Sequence, residues 1–187
     1  MESCITLTFC ECSENHVGMV KNGTLCEKGY SPLDLDNVVE KLSNKNTISL
    51  ERYNLIDYLK KDDYIGKKPE LLVLRNLLQN KHEDLYNILI KKNWDRKYYD
   101  VRRKKVLNKH ARANVCFGEV EEKADFENKK GTIYSYSSIP ILQEIKGYLE
   151  NLINDSNLQC EGNLYDNIEK NGIGWHGDAE RKKVIGV

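Results

Sequence analysis

Positions 158–165 carry the sequence Leu-Gln-Cys-Glu-Gly-Asn-Leu-Tyr, in which apolar and polar residues alternate. This alternation is typical of a β-strand, because successive side chains of a strand point to opposite faces of the sheet. A helix is predicted just before this strand, starting near Pro140. Its apolar residues recur at helical spacing: Ile141, Leu142, Ile145, Leu149, Leu152 and Ile153.

The rest of the chain predicts further elements of both kinds. Short strands are expected near residues 5–9, 71–74, 115–117, 173–176 and 184–187. Helices are expected around residues 38–42, over residues 50–59, and after Asn80, which can cap a helix with Glu83 three residues later. We therefore expect a mixed α+β fold in which helices pack outside a mainly antiparallel sheet.

Length and composition indicate a folded protein of one domain. The chain has 187 residues, 40% of them hydrophobic and 31% charged, and its 29 basic and 29 acidic side chains cancel. It has no apolar run of transmembrane length and no signal-like N-terminus. We expect an intracellular protein, in the cytoplasm or nucleus, that does not bind membranes. A boundary near Lys67 predicts an N-terminal extension over residues 1–66 and a domain over residues 67–187.

One segment departs from the neutral average. Residues 91–112 contain ten basic and two acidic side chains, interleaved with Trp94, Tyr98 and Tyr99. Cations that neutralise phosphates beside rings that stack on bases favour nucleic-acid binding. A solvated charged loop is the alternative interpretation.

The cysteines offer a second, weaker hypothesis. Four of the six lie in the first 26 residues, and Cys10, Cys12, His16 and Cys26 could surround a zinc ion. The CxxC pairs typical of zinc sites are missing, so ordinary thiols are the alternative.

His176 and Asp178 form the most distinctive pair of polar residues. Two residues apart on a strand, their side chains share a face. An imidazole and a carboxylate at this spacing supply two of the three ligands of a facial triad for iron(II). A hydrogen-bonded pair at a turn is the alternative.

The surrounding sequence resembles the AlkB family of iron(II)- and 2-oxoglutarate-dependent dioxygenases. The matching residues are Asn163-Leu-Tyr165, then Ile173-Gly-Trp-His-Gly-Asp178, then Glu180. The resemblance implies that Asn163 and Tyr165 contact 2-oxoglutarate, that His176 and Asp178 bind Fe(II), and that Glu180 lies at the substrate. Asn163 and Tyr165 could instead be cross-strand partners that bind no ligand.

The resemblance extends upstream to Arg112, which precedes a strand ending at Gly118, and to the pair Tyr134 and Tyr136. It implies that Arg112 and the two tyrosines belong to the substrate site, where rings stack on a flipped base. The alternative is that one ring packs in the core. If residues 134–136 form a strand, the two rings share a face and are both buried or both exposed.

The family implies part of a double-stranded β-helix, or jelly roll, with flanking helices. Its third iron-binding histidine and its 2-oxoglutarate-binding arginines would follow Val187, so the C-terminal strands are expected to be missing. We thus expect an enzyme of oxidative dealkylation, as in DNA repair, whose 187 residues are inactive alone.

Two alternatives remain open. One is an incomplete nucleic-acid-binding or split-enzyme fragment that needs a complementing C-terminal chain. The other is a related oxygenase that acts on protein or on a small metabolite.

Overall fold

The computed structural model describes residues 2–58, 69–172, 174, 178 and 180–187. The chain divides into two compact units. The first unit combines Met1–Gly29 with Lys81–Val187, and the second covers Tyr30–Asn80. The domain boundary expected near Lys67 lies outside the described residues.

The described residues contain both helices and strands, as expected for a mixed α+β protein. The strands are β1 (Cys4–Cys10), β2 (Cys12–Glu14), β3 (Lys21–Gly23), β4 (Ser49–Asn54), β5 (Glu70–Arg75), β6 (Lys97–Asp100), β7 (Lys105–Asn108), β8 (Ala113–Gly118), β9 (Ile133–Ser135), β10 (Gln159–Tyr165) and β11 (Ile185–Gly186). The α-helices are α1 (Pro32–Leu42), α2 (Lys81–Leu89) and α3 (Pro140–Ile153). Short 3-10 helices cover Leu55–Tyr58 and Tyr136–Ser138.

The first unit is built on a five-stranded sheet with the order β11-β1-β10-β8-β9. Its neighbours pair antiparallel except for β8 and β9, which are parallel. The strand predicted from the alternation at residues 158–165 is confirmed as β10, the centre of this sheet. The strand predicted at residues 5–9 is confirmed as β1, so the N-terminal residues contribute directly to the same sheet.

Register divides the sheet into two faces. Residues directly opposite each other in an antiparallel pair share a face. One side, the apolar face, carries Leu7, Phe9, Val115, Phe117, Cys160 and Leu164, all buried. The other side, the polar face, carries Thr6, Thr8, Asn114, Cys116, Glu161 and Asn163.

On the apolar face, Trp94 connects α2 with the sheet. The indole Nε1 of Trp94 donates to the carbonyl of Leu89, the last residue of α2, at 3.0 Å. The ring lies where a side chain at Gly162 would point, and α2 in turn contacts α3. The buried residues of α3 are Leu142, Ile145, Leu149 and Leu152, as its periodicity predicts.

The second unit pairs β4 with β5 in antiparallel register. The helix predicted over residues 50–59 is therefore wrong in the described part: residues 49–54 form β4, and Leu55–Tyr58 form a 3-10 helix. The apolar spacing there suits a helix, but pairing with β5, including Tyr53 opposite Leu71, selects the extended conformation. The strand predicted at residues 71–74 is confirmed within β5.

Within the residues that the structure describes, no helix is long and apolar enough to cross a membrane.

Candidate functional site

The polar face of the sheet holds a continuous hydrogen-bonded network. Asn163 of β10 lies opposite Asn114 of β8, and its Oδ1 accepts hydrogen bonds from Arg112 Nε at 2.6 Å and from Asn114 Nδ2. Asn114 Nδ2 also donates to Glu161 Oε1 at 3.2 Å. Since side chains at residues 161 and 163 project from the same side of β10, these contacts run along one surface.

Arg181 extends this network to the C-terminal segment. Its Nη2 donates to Glu161 Oε2 at 2.5 Å and to Glu180 Oε1 at 2.8 Å. Its Nε lies 3.5 Å from Asp178 Oδ2. Burial opposes the guanidinium charge, but Glu161 and Glu180 outweigh it, so the pKa of Arg181 is raised.

The fold thus brings together four of the residues predicted from the sequence. Arg112, Asn163, Asp178 and Glu180 come from three separate stretches and are joined through Glu161 and its neighbours. His176, the other predicted iron ligand, lies outside the described residues, and so do most positions of the strand predicted at residues 173–176. Within this network the carboxylates alternate with guanidinium and amide donors, and the contacts of the guanidinium are charge-assisted.

Tyr165 ends β10 two residues after Asn163. It lies opposite Cys4 of β1 and is half-buried. Because residues 163 and 165 share a face of the strand, Tyr165 belongs to the same side of the sheet as Asn163.

Tyr134 and Tyr136 lie away from this network. Tyr134 pairs in register with Phe117 of the apolar face, and its hydroxyl donates to the carbonyl of Asn93 at 2.9 Å. Tyr136 is 1% exposed, and its hydroxyl donates to the carbonyl of Leu158 at 3.0 Å. The two rings were expected to be both buried or both exposed, but Tyr134 is only half-buried. Strand β9 ends at Ser135 and Tyr136 begins a 3-10 helix, so the shared face of a strand does not apply.

A second buried group of polar residues adjoins Asn114. Asp95 accepts hydrogen bonds from Asn15 Nδ2 at 2.8 Å and from the backbone and hydroxyl of Thr132 at 2.7 Å each. Lys109 Nζ donates to Asn15 Oδ1 at 2.6 Å. Burial lowers the pKa of Lys109 to about 8. These contacts hold the chain around residue 15 against the start of β8, since Asn15 Nδ2 also reaches the carbonyl of Asn114 at 3.3 Å.

Sequence reasoning overlooked Glu161 and Arg181, the two residues that connect the network. A signal for Glu161 was present, because it is a polar residue on the same side of the predicted strand as Asn163. For Arg181 the sequence holds no comparable signal, since nothing in its neighbourhood indicates burial.

The basic segment at residues 91–112 forms a hairpin of β6 and β7, which we call the basic hairpin (residues 97–108). The backbone amides of Arg102 and Arg103 donate to Asp100 Oδ1 at 2.9 Å each, which shapes the turn. Arg102, Arg103, Lys104 and Lys105 are exposed around this turn. Two other cations of residues 91–112 have partners in the rest of the fold. Arg112 belongs to the polar network, and Lys109 donates to Asn15.

The aromatic residues of this segment all have partners inside the chain. Trp94 packs beside Gly162, as described above. The ring of Tyr98 stacks on His16 at 3.7 Å between centroids, and Lys129 Nζ lies 5.5 Å from the ring centroid of Tyr99. These rings therefore pack within the fold, and the side chains exposed at the turn of the hairpin are cations.

The cysteines are unpaired thiols, and Cys10, Cys12, Cys116 and Cys160 are buried. Burial raises the pKa of Cys10 and of Cys116 to about 12, which keeps both protonated at neutral pH. Among the described residues, no group of three or more histidine, cysteine or acidic side chains is arranged to hold a metal ion. The four residues considered for zinc, including Cys26, are all in the described part of the chain and do not form such a group.

The fold and the polar network define a mixed α+β protein whose central sheet carries buried polar residues, among them Glu161, on one face. The chain is 39% identical over 188 residues to "Uncharacterized protein R156" of Acanthamoeba polyphaga mimivirus, a match that covers 98% of this chain and 72% of the viral protein. The chain belongs to the family of this mimivirus protein. No protein-family model matches the chain, and no solved structure matches it.

Proposed function

We propose that the protein is an iron(II)- and 2-oxoglutarate-dependent dioxygenase of the AlkB type that dealkylates nucleic-acid bases. The observation that carries the proposal is the convergence of Arg112, Asn163, Asp178 and Glu180 in one network. The resemblance selects these residues by motif alone, without reference to their positions in space. Their connection through one chain of polar contacts is what a shared site requires.

The residues of the polar face suit the groups that the proposal assigns to them. Asp178 is a carboxylate at the edge of the network, and with His176 it would hold iron(II). Asn163 and Tyr165 would contact 2-oxoglutarate from β10. Iron(II) with 2-oxoglutarate and oxygen would oxidise the N-alkyl group. The products would be succinate, carbon dioxide, an aldehyde and the base without its alkyl group.

Arg112 and Glu180 are the residues we assign to the substrate. Arg112 is half-buried, and its guanidinium contacts the Asn163 amide, so it can orient a base beside the co-substrate. Tyr136 has no place in this proposal because its ring is buried in the core. We assign both tyrosines a structural role, Tyr134 through its hydrogen bonds with Asn93.

The proposal includes a fold. The central sheet would be one wall of a jelly roll, with helices outside its apolar face and the site on the polar face. This arrangement agrees with the position of the buried Glu161, whose side chain projects from the face opposite to the one where Trp94 lies beside Gly162.

The decisive test is binding of the metal, because both predicted ligands, His176 and Asp178, belong to this chain. Mn(II) substitutes for iron(II) at imidazole and carboxylate ligands, and its binding can be followed by electron paramagnetic resonance. We expect the unaltered protein to bind Mn(II). His176→Ala and Asp178→Ala should each weaken this binding, whereas His82→Ala, at an exposed histidine in α2, should preserve it. Equal Mn(II) binding by the unaltered protein and by the Asp178→Ala variant would contradict the proposal.

The basic hairpin favours a second candidate function, a nucleic-acid-binding module without chemistry. Four adjacent cations are exposed at its turn, while the nearby rings are engaged internally. Contacts of this kind neutralise phosphates and do not recognise bases, so binding would be strong at low salt and independent of sequence.

This candidate is tested by titrating a single-stranded oligonucleotide at several salt concentrations. Replacing Arg102, Arg103, Lys104 and Lys105 with alanine should reduce the slope of log K against log salt by roughly 3. A matched variant with alanine at Lys28, Lys45, Lys123 and Lys170 removes the same charge elsewhere and should retain most of the slope. If both variants reduce the slope of log K against log salt equally, the hairpin is not the surface that contacts nucleic acid.

A further inference from the structure

We propose that the turn of the basic hairpin is a docking surface for a second copy of this chain, whose acidic loop (residues 119–127) lies against it. The inference goes beyond both functions proposed above and depends on neither of them. All the residues that carry it belong to the first compact unit.

Exposed valines lie directly beside the cations of this turn. A Cβ at Gly18 would lie 3.0 Å from Cγ1 of Val101, so the turn of the basic hairpin touches the loop at residue 18. Val17 is 66% exposed, Val20 50% and Val101 40%. Together with the exposed cations at residues 102–105, these valines form what we call the basic patch. Apolar side chains that are exposed together and bordered by polar ones are typical of a surface that binds another macromolecule.

The cations of the basic patch are poorly neutralised within the chain. Asp100 is the acidic residue of the hairpin, and its Oδ1 accepts the backbone amides of Arg102 and Arg103. Arg103 Nε forms a long ion pair with Asp100 Oδ2, at 3.9 Å. Among the described residues, Arg102, Lys104 and Lys105 form no ion pair. These cations are therefore available to an anionic partner.

The acidic loop has the complementary charge and an exposed valine of its own. Residues 119–127 contain five acidic side chains and one basic side chain, a net charge of −4, whereas residues 101–105 contain four cations and no acid. Val120 is 73% exposed and lies between Glu119 and Glu121 in the sequence. The loop thus presents an apolar side chain flanked by carboxylates, as the basic patch presents valines flanked by cations.

Part of the charge of the acidic loop is unpaired within the molecule. Glu119 and Glu122 form ion pairs with lysines at 3.3 Å and 3.6 Å, but Glu121 and Glu127 are exposed and form none with the described residues. Backbone hydrogen bonds between Glu122 and Ile133 hold the loop at β9. In the described part of the chain, no hydrogen bond or ion pair joins this loop to the basic patch. The two opposite charges therefore do not neutralise each other within one molecule.

The valines favour a protein partner over nucleic acid. Phosphates would pair with the cations of the basic patch but would leave Val17, Val20 and Val101 in water. An acidic loop that carries a valine covers both kinds of side chain, and a second copy supplies such a loop at the protein's own concentration. Because exposed charges contribute weakly, we expect weak association that decreases with salt.

Sedimentation velocity of the unaltered chain at roughly 100 μM, a concentration suited to weak interfaces, tests this contact. We expect association at about 50 mM salt that is lost at about 0.5 M, where surface charges are screened. Arg102→Glu/Arg103→Glu reverses the patch and Glu121→Lys/Glu127→Lys reverses the loop, so each variant alone should be monomeric. An equimolar mixture of the two variants should associate again, since each surface then meets the opposite charge.

Two further variants separate a specific contact from general attraction between charges. Lys28→Glu/Lys170→Glu makes the same change of net charge at exposed lysines elsewhere and should still associate. Val120→Ser leaves every charge in place and should weaken association roughly threefold or more, because it removes apolar surface from the contact. Each variant is compared after thermal unfolding shows that it is folded.

Loss of association in both charge-reversal variants, with recovery on mixing, supports the contact. A chain that is monomeric at about 50 mM salt overturns it, and oligonucleotide binding through residues 102–105 would then assign the patch to nucleic acid. Association that survives reversal of the loop, but not of the patch, overturns the assignment of residues 119–127. Association that survives both reversals overturns the whole inference.

Discussion

Arg112 and Asn163 are 51 residues apart in the sequence, yet Arg112 Nε donates to Asn163 Oδ1 at 2.6 Å. Asn114 donates to the same oxygen from the neighbouring strand. Two donors on one carbonyl oxygen determine which end of the Asn163 amide faces β8. The orientation of the side chain is thereby fixed, as the proposed contact with 2-oxoglutarate would require.

Asn163→Leu is expected to lower the free energy of unfolding by about 1–3 kcal/mol, because Arg112 and the 3%-exposed Asn114 lose their shared acceptor. Urea denaturation measures this change. Asn108→Leu, at an exposed position of β7, should stay within about 0.5 kcal/mol of the unaltered protein. Equal effects of the two substitutions would show that the network contributes little to stability.

Gly162→Ala and Gly147→Ala should change stability in opposite directions. A Cβ at Gly162 would lie 2.9 Å from the Phe117 ring and 3.1 Å from Trp94, so we expect a loss of about 1–3 kcal/mol from overpacking. A Cβ at Gly147 in α3 meets nothing within 4 Å. Alanine there should raise stability by up to about 1 kcal/mol, because it favours the helix. Thermal unfolding of both variants checks this, and a stabilised Gly162→Ala protein would contradict the packing described for β10.

Tyr136→Phe separates a structural role from a role in substrate binding. The substitution removes one buried hydrogen bond, to the carbonyl of Leu158, and should cost about 1 kcal/mol or slightly more. Oligonucleotide binding by the folded variant should be unchanged, since the ring does not reach the surface. Tyr58→Phe, at a tyrosine that is 72% exposed, is the control for stability. Weaker oligonucleotide binding by Tyr136→Phe would return this residue to the substrate site.

Lys109 should make the protein more stable as the pH rises above neutral. Its pKa is lowered from 10.5 to about 8 in the folded chain, chiefly by burial. Between these values the unfolded chain binds a proton that the folded chain does not, so unfolding becomes less favourable with increasing pH. Below about pH 8 both states are protonated and the folded state bears the cost of the buried cation.

The measurement compares the free energy of unfolding of the unaltered protein with that of Lys109→Met by urea denaturation. The difference should move in favour of the unaltered protein by about 1–3 kcal/mol between roughly pH 7 and pH 10. Lys105→Met, at an exposed lysine, should show no such trend. A difference for Lys109→Met that does not vary with pH would mean that the lysine has its ordinary pKa.

Local pattern was sufficient for several elements of this fold. The apolar spacing of α3 and the alternation of β10 both predict the observed elements. A helix or strand that buries one face has apolar residues at a regular spacing in its sequence. The same reasoning fails at residues 50–58, where an apolar spacing compatible with a helix occurs in a strand. There the outcome depends on pairing with β5, a contact between distant residues that the local pattern does not contain.

The candidate site shows the same difference between what local sequence predicts and what contacts between distant residues decide. The sequence by itself determined which polar residues stand out: Arg112, Asn163, Asp178 and Glu180 are recognisable from motif and spacing. Only the tertiary structure decided that they share one network, that Tyr136 is excluded from it, and that Arg181 connects it. The physical reason is register: the pairing of β8 with β10 places distant side chains opposite each other on one face, and neither local propensity nor spacing along the chain specifies that pairing.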